Sequence, residues 1–292
     1  MITKHIISVV LVTYNSESII KKFLLQSQLQ GYKSITVVDN ASRDRTVSLI
    51  KKIRPDVHVM QLKENIGFGS AVNLGLAENV SEYALIINPD TLLSTNFFVD
   101  LNNGISRHNK AGLIAPTILN DRHFVRPPNT EFKKNQQCIQ YKEDQSTNFI
   151  SGACFVIKPS LFKGREIFDE NIFMFYEDND LSEKIGQMGL EKIILKDCFI
   201  YHQGESSSLP SSFVTALKNF HYGWSESYFN TKYHSIKSAR GKNLSSIITY
   251  IKRTVIYSIT LNKNRLIPSW HRLRGKIAFV RGKKAQDIKE LI

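Results

Sequence analysis

The stretch LIINPDTLLS, residues 85–94, joins an apolar run to a carboxylate through a proline. Asn-Pro and Pro-Asp are common turn formers, so the simplest interpretation is a loop after a strand. A carboxylate at this place also suits a ligand site, because open α/β sheets bind ligands beyond the carboxyl ends of their strands. The meaning of Asp90 therefore depends on whether the surrounding chain forms such a sheet.

The first 115 residues alternate apolar runs with amphipathic stretches. Runs rich in isoleucine and valine, typical of strands, occupy residues 6–12, 35–38, 57–62, 84–87 and 113–115. Apolar residues recur at helical spacing between them, over residues 16–30, 46–53 and 70–78. This alternation predicts an α/β fold, Rossmann-like, with a mostly parallel sheet and helices on both faces.

Polar clusters follow three of the predicted strands. They are Thr13-Tyr14-Asn15, Asp39-Asn40-Ala41-Ser42 and Asn88-Pro89-Asp90. Ser42 or Asp44 suits the cap of the next helix, but Asp39 belongs to the strand end itself. A carboxylate at that place can accept a hydrogen bond from the imide N–H of a nucleobase, so the clusters predict a nucleotide site.

Gly67-Phe68-Gly69 has the first two glycines of the dinucleotide-binding fingerprint, but Val72 stands where the third should be. The segment also follows the third predicted strand, whereas the fingerprint follows the first, so the dinucleotide-binding fingerprint fails in both sequence and context. Glycine at position 67 predicts instead that a helix begins close to another group. That group is either backbone or a diphosphate, and both alternatives stay open.

Glu177-Asp178-Asn179-Asp180 is the densest acidic cluster of the chain and follows the aromatic run Phe173-Met174-Phe175-Tyr176. Asp180 with Glu183 resembles a capping box, which explains one or two acids but not three. Aromatic neighbours desolvate a carboxyl group and raise its pKa towards that of a general base. We therefore expect Glu177 and Asp178 to be functional. His202, at the end of the last predicted strand, is either structural or a metal ligand.

The three cysteines show no CxxC spacing, which argues against a disulfide framework or a zinc site and suits a reducing compartment. The apolar run at residues 6–12 is too short for a membrane span and lacks a cleavage site after it, so we expect a cytoplasmic protein. Residues 120–147 are polar, contain Pro127-Pro128 and show little periodicity. A loop of this length is usually functional or disordered.

Positive charge is concentrated in the C-terminal region. Residues 235–292 carry 14 Lys and Arg against 2 Asp and Glu, whereas the rest of the chain is nearly neutral. The region also has apolar residues near helical spacing: Ile247, Ile248, Ile251, Val255, Ile256 and Ile259. This pattern predicts a basic amphipathic helix on an anionic membrane surface. The alternative is that these side chains pack on the catalytic domain or on a second subunit of a homodimer.

Seven motifs occur in order across residues 8–206: SVVLVTYNSES, VVDNASRDRT, ENIGFGSAVNLG, LIINPDTLL, FISGACFVIK, FMFYEDNDLSEKI and YHQGES. Together they resemble the family-2 glycosyltransferases, and most closely their rhamnosyltransferase-like branch. The resemblance covers about two thirds of the chain. It implies a GT-A fold, a single nucleotide-sugar-binding α/β domain, which we expect over residues 1–205. The length and prolines of residues 120–147 predict a mobile loop near the acceptor, and the charge and periodicity of residues 206–292 predict a helical, basic extension.

The resemblance also implies roles for residues already singled out. Thr13, Asn15, Gly67 and Asn88 would line the nucleotide-sugar site, and Asp39 would contact the base. Asp90 would be the last acid of the metal-binding DxD motif, with His202 near the metal or diphosphate. Asp178, paired with Glu177, would be the catalytic base. The implied metal is Mg²⁺ or Mn²⁺, since hard oxygen ligands and substrate phosphates suit both.

Three departures qualify the resemblance. The DxD position reads Asn88-Pro89-Asp90, with a single carboxylate, which leaves metal affinity open. Val72 stands where many family members have an arginine, so diphosphate contacts must come from elsewhere. The chain has no QxxRW-like motif, which argues against a processive polysaccharide synthase.

The expected activity is inverting transfer of a sugar from dTDP-rhamnose or a UDP-hexose to a hydroxyl of a glycan acceptor. The acceptor would be carried on a polyprenyl diphosphate at the inner face of the cell membrane, in O-antigen or capsule synthesis. The basic tail also suits a membrane- or nucleic-acid-binding module, but it shows no nucleic-acid motif. A nucleotidyltransferase would need a glycine-rich loop after the first strand, and the Glu177-Asp178 pair argues against a degenerate binding module.

Overall fold

The computed structural model describes residues 7–78, 81–119, 141–202 and 212–286. The chain divides into two compact units. The first comprises the described parts of Met1–Asn65, Ala71–Phe168 and Leu181–Ser208, and the second those of Ile66–Ser70, Asp169–Asp180 and Leu209–Ile292. The predicted domain boundary at 205/206 and most of the predicted loop, residues 120–140, lie outside the described residues.

In the described part of the chain, nine strands form one sheet in the first unit. They are β1 (Ile7–Thr13), β2 (Ile35–Asp39), β3 (His58–Gln61), β4 (Tyr83–Ile87), β5 (Thr91–Leu93), β6 (Leu113–Leu119), β7 (Gln145–Ser146), β8 (Cys154–Ile157) and β9 (Lys192–His202). The strand order is β3-β2-β1-β4-β8-β6-β9-β5, and β7 pairs with β9. The sheet is parallel from β3 to β4, as predicted. Beyond β4 it is mixed, because β8 runs antiparallel to both β4 and β6.

Five helices accompany the strands over the described residues. They are α1 (Glu17–Leu24), α2 (Thr46–Ile53), α3 (Phe68–Ala77), α4 (Phe97–Arg107) and α5 (Glu177–Gln187). The helix predicted over residues 16–30 ends early, and a 3₁₀ turn follows at Ser27–Leu29. Gln26 explains the break, because its side chain donates to the carbonyl of Thr91 and accepts from the amide of Leu93. This contact with β5 takes the place of another helical turn.

The core of the first unit lies on the central strands. Their apolar side chains, among them Val9, Leu11, Val37, Leu85 and Val156, are almost fully buried with those of the covering helices. Burial of such side chains stabilises the fold by about 1.5–3 kcal/mol each. The same strands carry the polar residues at their carboxyl ends, so the core fixes the position of those ends. Cys154 and Cys198 are buried free thiols, and Cys138 lies outside the described residues.

The second unit contains three long helices, α6 (Ser212–Tyr233), α7 (Ile236–Ile259) and α8 (Lys263–Val280). Helices α6 and α8 cross closely: a Cβ atom added at Gly275 would lie 2.0 Å from the carbonyl oxygen of Phe220, so only glycine fits there. The indole N–H of Trp224 donates to the carbonyl of Lys283 at 2.8 Å. Phe173 joins Phe220 and Trp224 in the small core of this unit.

Of the apolar residues predicted for the tail, Ile247 is half-buried, and the other five are exposed: Ile248, Ile251, Val255, Ile256 and Ile259. Helix α7 buries Ala239, Asn243 and Tyr250 instead. A second face is apolar and exposed, and we call it the apolar stripe: Leu244, Ile248, Ile251, Val255 and Ile259. Its members recur every three or four residues, the spacing of one helical face. Among the described residues, no helix has the length and apolarity that crossing a membrane requires.

Candidate active site

Thr13 and Asp39 end the neighbouring strands β1 and β2, where they are paired in register. The hydroxyl of Thr13 donates to Oδ1 of Asp39 at 2.9 Å. Ser42 donates to the same carboxylate twice, from its hydroxyl at 2.5 Å and from its backbone N–H at 3.0 Å. Both Thr13 and Asp39 are fully buried. The structure therefore brings these two predicted residues together, with Asp39 organising the loop that follows β2.

Asn15 belongs to the same cluster. Its backbone N–H donates to the hydroxyl of Ser42 at 2.8 Å, and its side-chain oxygen accepts from the backbone N–H of Arg43 at 2.8 Å. Asn15 and Ala41 both have a positive φ, near 48° and 66°. Asparagine tolerates this left-handed conformation better than most residues. The loops after β1 and β2 are thus tied to each other by side-chain and backbone hydrogen bonds.

The predicted contact between Asp39 and a nucleobase meets a constraint in this geometry. A carboxylate has about four acceptor positions. Three are used by Thr13 and Ser42, which leaves about one on Oδ2. Because Asp39 is fully buried, that position is closed to solvent in this structure.

The turn after β4, which joins it to β5, determines the position of Asp90. Strand β4 ends at Ile87, and the backbone N–H of Asn88 still bonds to the carbonyl of Ala153 at 2.9 Å. Asn88 then accepts a hydrogen bond from the hydroxyl of Thr91 at 2.7 Å, which closes the turn around Pro89. The turn leads directly into β5, whose first residue, Thr91, pairs with His202 at the end of β9. Asp90 is therefore delivered beside His202.

Asp90 and His202 form a close pair: Nε2 of the histidine lies 3.2 Å from Oδ1 of the aspartate. The Asp90 side chain is 5% exposed and that of His202 is 25% exposed. No group of three or more metal-ligating side chains occurs within the residues that the structure describes. The pair fits a Mg²⁺ or Mn²⁺ ion that takes its other ligands from substrate phosphates and water, as such ions commonly do.

Gly67 groups with the second unit. Its φ is +90°, and a Cβ atom there would lie 2.3 Å from the carbonyl oxygen of Phe173. Of the two alternatives left open by the sequence, the structure shows the close approach to backbone. The predicted nucleotide contact of Gly67 stays a prediction.

Glu177 and Asp178 begin α5 and also belong to the second unit. Phe175 and Tyr176, which precede them, both have positive φ values, 65° and 68°. That conformation is rare for bulky residues and costs about 1–3 kcal/mol each. It persists because their rings pack on Tyr222 of α6, with centroid distances of 5.7 Å and 5.4 Å. Helix α6 thereby fixes the turn that presents the two acids.

The two acids differ in their surroundings. Glu177 is partly exposed as a residue, yet its Oε2 atom is buried and has no hydrogen-bond partner among the described residues. Burial, with a smaller contribution from the charge of Asp178, raises the pKa of Glu177 to about 8. Asp178 accepts a hydrogen bond from the backbone N–H of Asn179 at 2.9 Å. Burial therefore favours the protonated form of Glu177.

Asp180 does not cap α5, contrary to the capping-box interpretation, because it lies inside the helix. It is fully buried, and its Oδ1 receives Lys232 at 2.5 Å and the hydroxyl of Tyr233 at 2.8 Å. Lys232 also pairs with Asp169 at 2.6 Å. Sequence reasoning missed Lys232 and Tyr233, and no local pattern identifies them, since they lie more than fifty residues away from Asp180.

Asn73 was also missed as a structural residue, although it lies in one of the motifs. Its side-chain amide donates to the carbonyl of Phe168 at 2.9 Å, and its oxygen accepts from the N–H of the same residue at 3.0 Å. This reciprocal pair fixes the chain within the first unit, immediately before the segment that leads to the acids. Val72 beside it is fully buried, which accounts for an apolar residue at that position.

The chain is similar in sequence to known proteins. It is 24% identical to an N-acetylglucosaminyl-diphospho-decaprenol L-rhamnosyltransferase of Mycobacterium tuberculosis, over 75% of this chain and 86% of the relative. It is 26% identical to a low-salt glycan biosynthesis hexosyltransferase of Haloferax volcanii, over 59% of each chain. Both relatives are named as sugar-transferring enzymes.

Solved structures confirm the predicted GT-A fold. A mannosyltransferase from Pyrobaculum calidifontis, in complex with GDP-Man and Mn²⁺, matches with a TM-score of 0.57 and 15% identity, over 97% of this chain and 89% of that one. TarS 1–349 from S. aureus, in complex with UDP-GlcNAc, matches with a TM-score of 0.54 and 17% identity, over 95% and 92%. The family model for glycosyl transferase family 2 matches residues 8–165, which contain β1 to β4 and both Asp39 and Asp90. The chain belongs to glycosyl transferase family 2.

Proposed function

We propose that this glycosyltransferase is an inverting, metal-dependent hexosyltransferase that glycosylates a lipid-linked glycan during cell-surface polysaccharide synthesis. The donor is dTDP-rhamnose or a UDP-hexose, and the acceptor is carried on a polyprenyl diphosphate. Support comes from the Mycobacterium tuberculosis relative, whose name specifies a decaprenol-diphosphate acceptor and rhamnosyl transfer. Further support comes from nucleotide and nucleotide-sugar complexes of proteins with the same fold.

The proposed reaction is a single displacement at the anomeric carbon. Asp178 takes the proton of the acceptor hydroxyl, whose oxygen attacks the carbon from the face opposite the diphosphate. The new C–O bond forms as the bond to the diphosphate oxygen breaks, and the nucleoside diphosphate leaves, so the anomeric configuration inverts. A divalent cation held by Asp90 and His202 would neutralise the charge on the departing diphosphate. Thr13, Asn15 and Asp39 shape the nucleotide site.

One observation carries this assignment: Glu177 and Asp178 begin α5 directly after the aromatic turn, and the pKa of Glu177 is raised by burial. Because the pKa of Glu177 is raised to about 8, this residue is a poor proton acceptor at neutral pH. Asp178 is the neighbouring group whose charge contributes to that shift. With Glu177 disfavoured as a proton acceptor, the base that we propose is Asp178.

Three variants of α5 test the assignment. Asp178→Asn should lower turnover at least roughly 10²-fold, the usual contribution of a general base, while donor affinity stays within about twofold. Glu177→Gln preserves the neutral form and should lose less than about tenfold at pH 7. Glu183→Gln, an exposed carboxylate on the same helix, is the matched control. Near-normal turnover of Asp178→Asn would exclude Asp178 as the base.

A screen of nucleotide sugars identifies the donor. Thermal stabilisation and hydrolysis are measured for dTDP-rhamnose, UDP-hexoses and UDP-N-acetylhexosamines, each with Mn²⁺ and with chelator. We expect the largest shift for dTDP-rhamnose or a UDP-hexose. A response to none of these donors would contradict the proposed donor class.

We further propose that α7 and α8 hold the enzyme against the anionic inner leaflet of the cell membrane. From residue 235 to residue 280 the sequence contains ten Lys and Arg and no Asp or Glu. The apolar stripe is exposed on α7, with Val255 52% and Ile259 76% exposed. Basic charge beside an apolar helical face is the pattern of an interfacial helix. The charge complementarity favours a lipid surface over a second copy of this basic chain.

Adjacent substitutions on α7 separate this surface from general hydrophobicity. Val255 belongs to the stripe, whereas Ile256 is equally exposed and points about 100° away around the helix. Val255→Ser should reduce co-sedimentation with vesicles containing phosphatidylglycerol severalfold, and Ile256→Ser, at the edge of the stripe beside Ile259, should reduce it less. Binding should weaken with salt, because exposed charges are screened. If Val255→Ser instead dissociates a homodimer without changing vesicle binding, the stripe is a subunit interface.

A further inference from the structure

We propose that a cavity between α7 and α8, lined by Arg253, Arg265 and Arg272, binds the diphosphate group of the lipid-linked acceptor. The proposal rests on the proposed function and specifies how the acceptor is recognised. Tyr250, Tyr257 and Ser269 complete the part of the lining that matters here. The cavity has a volume of about 200 Å³, which suits an anion of this size.

The charges around the cavity favour an anion. Neither α7 nor α8 contains an aspartate or glutamate. No carboxylate of the described residues pairs with Arg253 or Arg265; their contacts are the faces of Tyr250 at 5.5 Å and Tyr257 at 6.0 Å. Arg265 also lies in the first turn of α8, where the helix dipole favours negative charge. Arginine is the side chain best suited to bidentate phosphate binding.

Arg272 gives the cavity a rigid wall. It donates to Asn219 at 2.8 Å and to the hydroxyl of Tyr250 at 3.1 Å, and its guanidinium lies 4.1 Å from the ring centre of Tyr222. Its orientation is therefore fixed before a ligand arrives. Arg253 and Arg265 are exposed and can close on the ligand. A fixed group with two adjustable ones allows strong binding at a modest ordering cost.

The cavity is connected to the acids through aromatic contacts inside the second unit. Tyr222, which stacks on Arg272, also lies 5.4 Å from the ring of Tyr176, the residue immediately before Glu177 and Asp178. A lipid diphosphate in the cavity would place its sugar towards the acids.

If the three arginines had only a structural role, they would not bind a diphosphate. A binding measurement therefore distinguishes the two roles. Farnesyl diphosphate, a short isoprenoid diphosphate, is titrated into the full chain in the presence of chelator, which keeps metal-bound diphosphate out of the donor site. The double variant Arg253→Ala/Arg265→Ala is compared with Lys252→Ala/Lys263→Ala. The lysine pair removes the same charge from the same two helices and does not line the cavity. Thermal melting confirms that both variants fold.

We expect the arginine pair to weaken farnesyl diphosphate binding at least roughly tenfold, and the lysine pair less than about twofold. Inorganic diphosphate should compete with the probe in the wild type. Vesicles of phosphatidylglycerol should bind both variants equally. Their headgroups attract the basic helices only through general charge, and both variants lose the same charge. Equal loss in the two variants, or a loss of vesicle binding confined to the arginine pair, would overturn the diphosphate assignment.

The binding measurement needs no sugar transfer, so it separates this proposal from the proposed function. Arginine-dependent binding of farnesyl diphosphate without any transferase activity would support the diphosphate site and contradict the proposed function. If both double variants transfer sugar to a lipid-linked acceptor equally efficiently, the proposed function is supported. The cavity then has no part in acceptor recognition.

Discussion

Lys232 on α6 forms an ion pair with Asp180 on α5, with Nζ lying 2.5 Å from Oδ1. The same ammonium group contacts Asp169 at 2.6 Å, so one side chain holds both ends of the segment Asp169–Asp180. Burial alone would raise the pKa of Asp169, but hydrogen bonds from Lys232, Asn171 and Tyr228 outweigh it and lower the pKa to about 2. The ion pairs of Lys232 on α6 thus help to position the acids at 177 and 178.

Lys232→Met should remove both ion pairs and leave Asp180 buried with an uncompensated charge. Removing one partner of a buried pair costs about 3–5 kcal/mol, and we expect a value near the lower end because Lys232 is partly exposed. Urea unfolding measures the change, and turnover should fall with it. Lys218→Met, on the same helix and outside the ion pairs of the described residues, is the control. A loss of less than about 1 kcal/mol would show that the pair contributes little.

Glu177 predicts an unusual pH dependence of stability. Its pKa is raised by burial from 4.5 to about 8, so between these values the folded chain keeps a proton that the unfolded chain has released. The free energy of unfolding contributed by this group therefore decreases as pH rises through that window. Glu177→Gln has no such proton. Between pH 5 and pH 8.5, roughly, it should lose on the order of 1–2 kcal/mol less stability than the wild type, after allowance for partial exposure.

Unfolding by urea at several pH values tests this prediction. Glu183→Gln serves as control, since Glu183 is exposed on the same helix. Parallel pH profiles for the wild type and Glu177→Gln would mean that Glu177 ionises normally in the folded chain.

Asp90 and His202 predict metal dependence of donor binding. Asp90→Asn should lower donor affinity in Mn²⁺ by at least roughly tenfold, because a charged ligand is lost, and should abolish the difference between Mn²⁺ and chelator. His202→Gln should have a smaller effect of the same kind. Isothermal titration with the nucleoside diphosphate measures both. Wild-type binding that is equally strong in chelator would remove the metal site from the mechanism.

Asp39 predicts a coupled loss of stability and nucleotide binding. Asp39→Asn replaces one acceptor oxygen by an NH₂ donor that faces the hydroxyls or N–H of Thr13 and Ser42. Leaving such buried groups unsatisfied costs about 1–3 kcal/mol. We expect weaker nucleotide binding together with a lower unfolding midpoint. Ser42→Ala, which removes a donor and keeps the carboxylate, should have the smaller effect on both, and the reverse order would contradict the organising role of Asp39.

The strand ends of the first unit were predictable because they depend on local pattern. Buried β-branched runs fix where β1, β2 and β4 lie, and parallel neighbours bring their carboxyl ends to one edge. Thr13, Asp39 and Asp90 could therefore be named from sequence, and the structure places Thr13 beside Asp39. The strand directions beyond β4 depend on long connections, including residues 120–140, and no local pattern encodes them.

The surroundings of the acids were not predictable in the same way. The aromatic run suggested a raised pKa, and Glu177 shows it. The ion pairs of Asp180 and Asp169 with Lys232 join residues more than fifty positions apart, so no spacing rule reveals them. The positive φ values of Phe175 and Tyr176 depend on packing against Tyr222, which the sequence gives no means to foresee.

Asp169–Asp180 groups with α6, α7 and α8, which limits how parts of such enzymes can be exchanged. The segment carrying the proposed base forms one compact body with the C-terminal helices, beyond the residues 8–165 that define the family. A chimera that exchanges only the helices would separate Lys232 from Asp180 and mismatch the rings that support the acid turn. Acceptor-specific parts of such enzymes should therefore be exchanged as a discontinuous cassette, with residues 66–70, 169–180 and the C-terminal helices moving together.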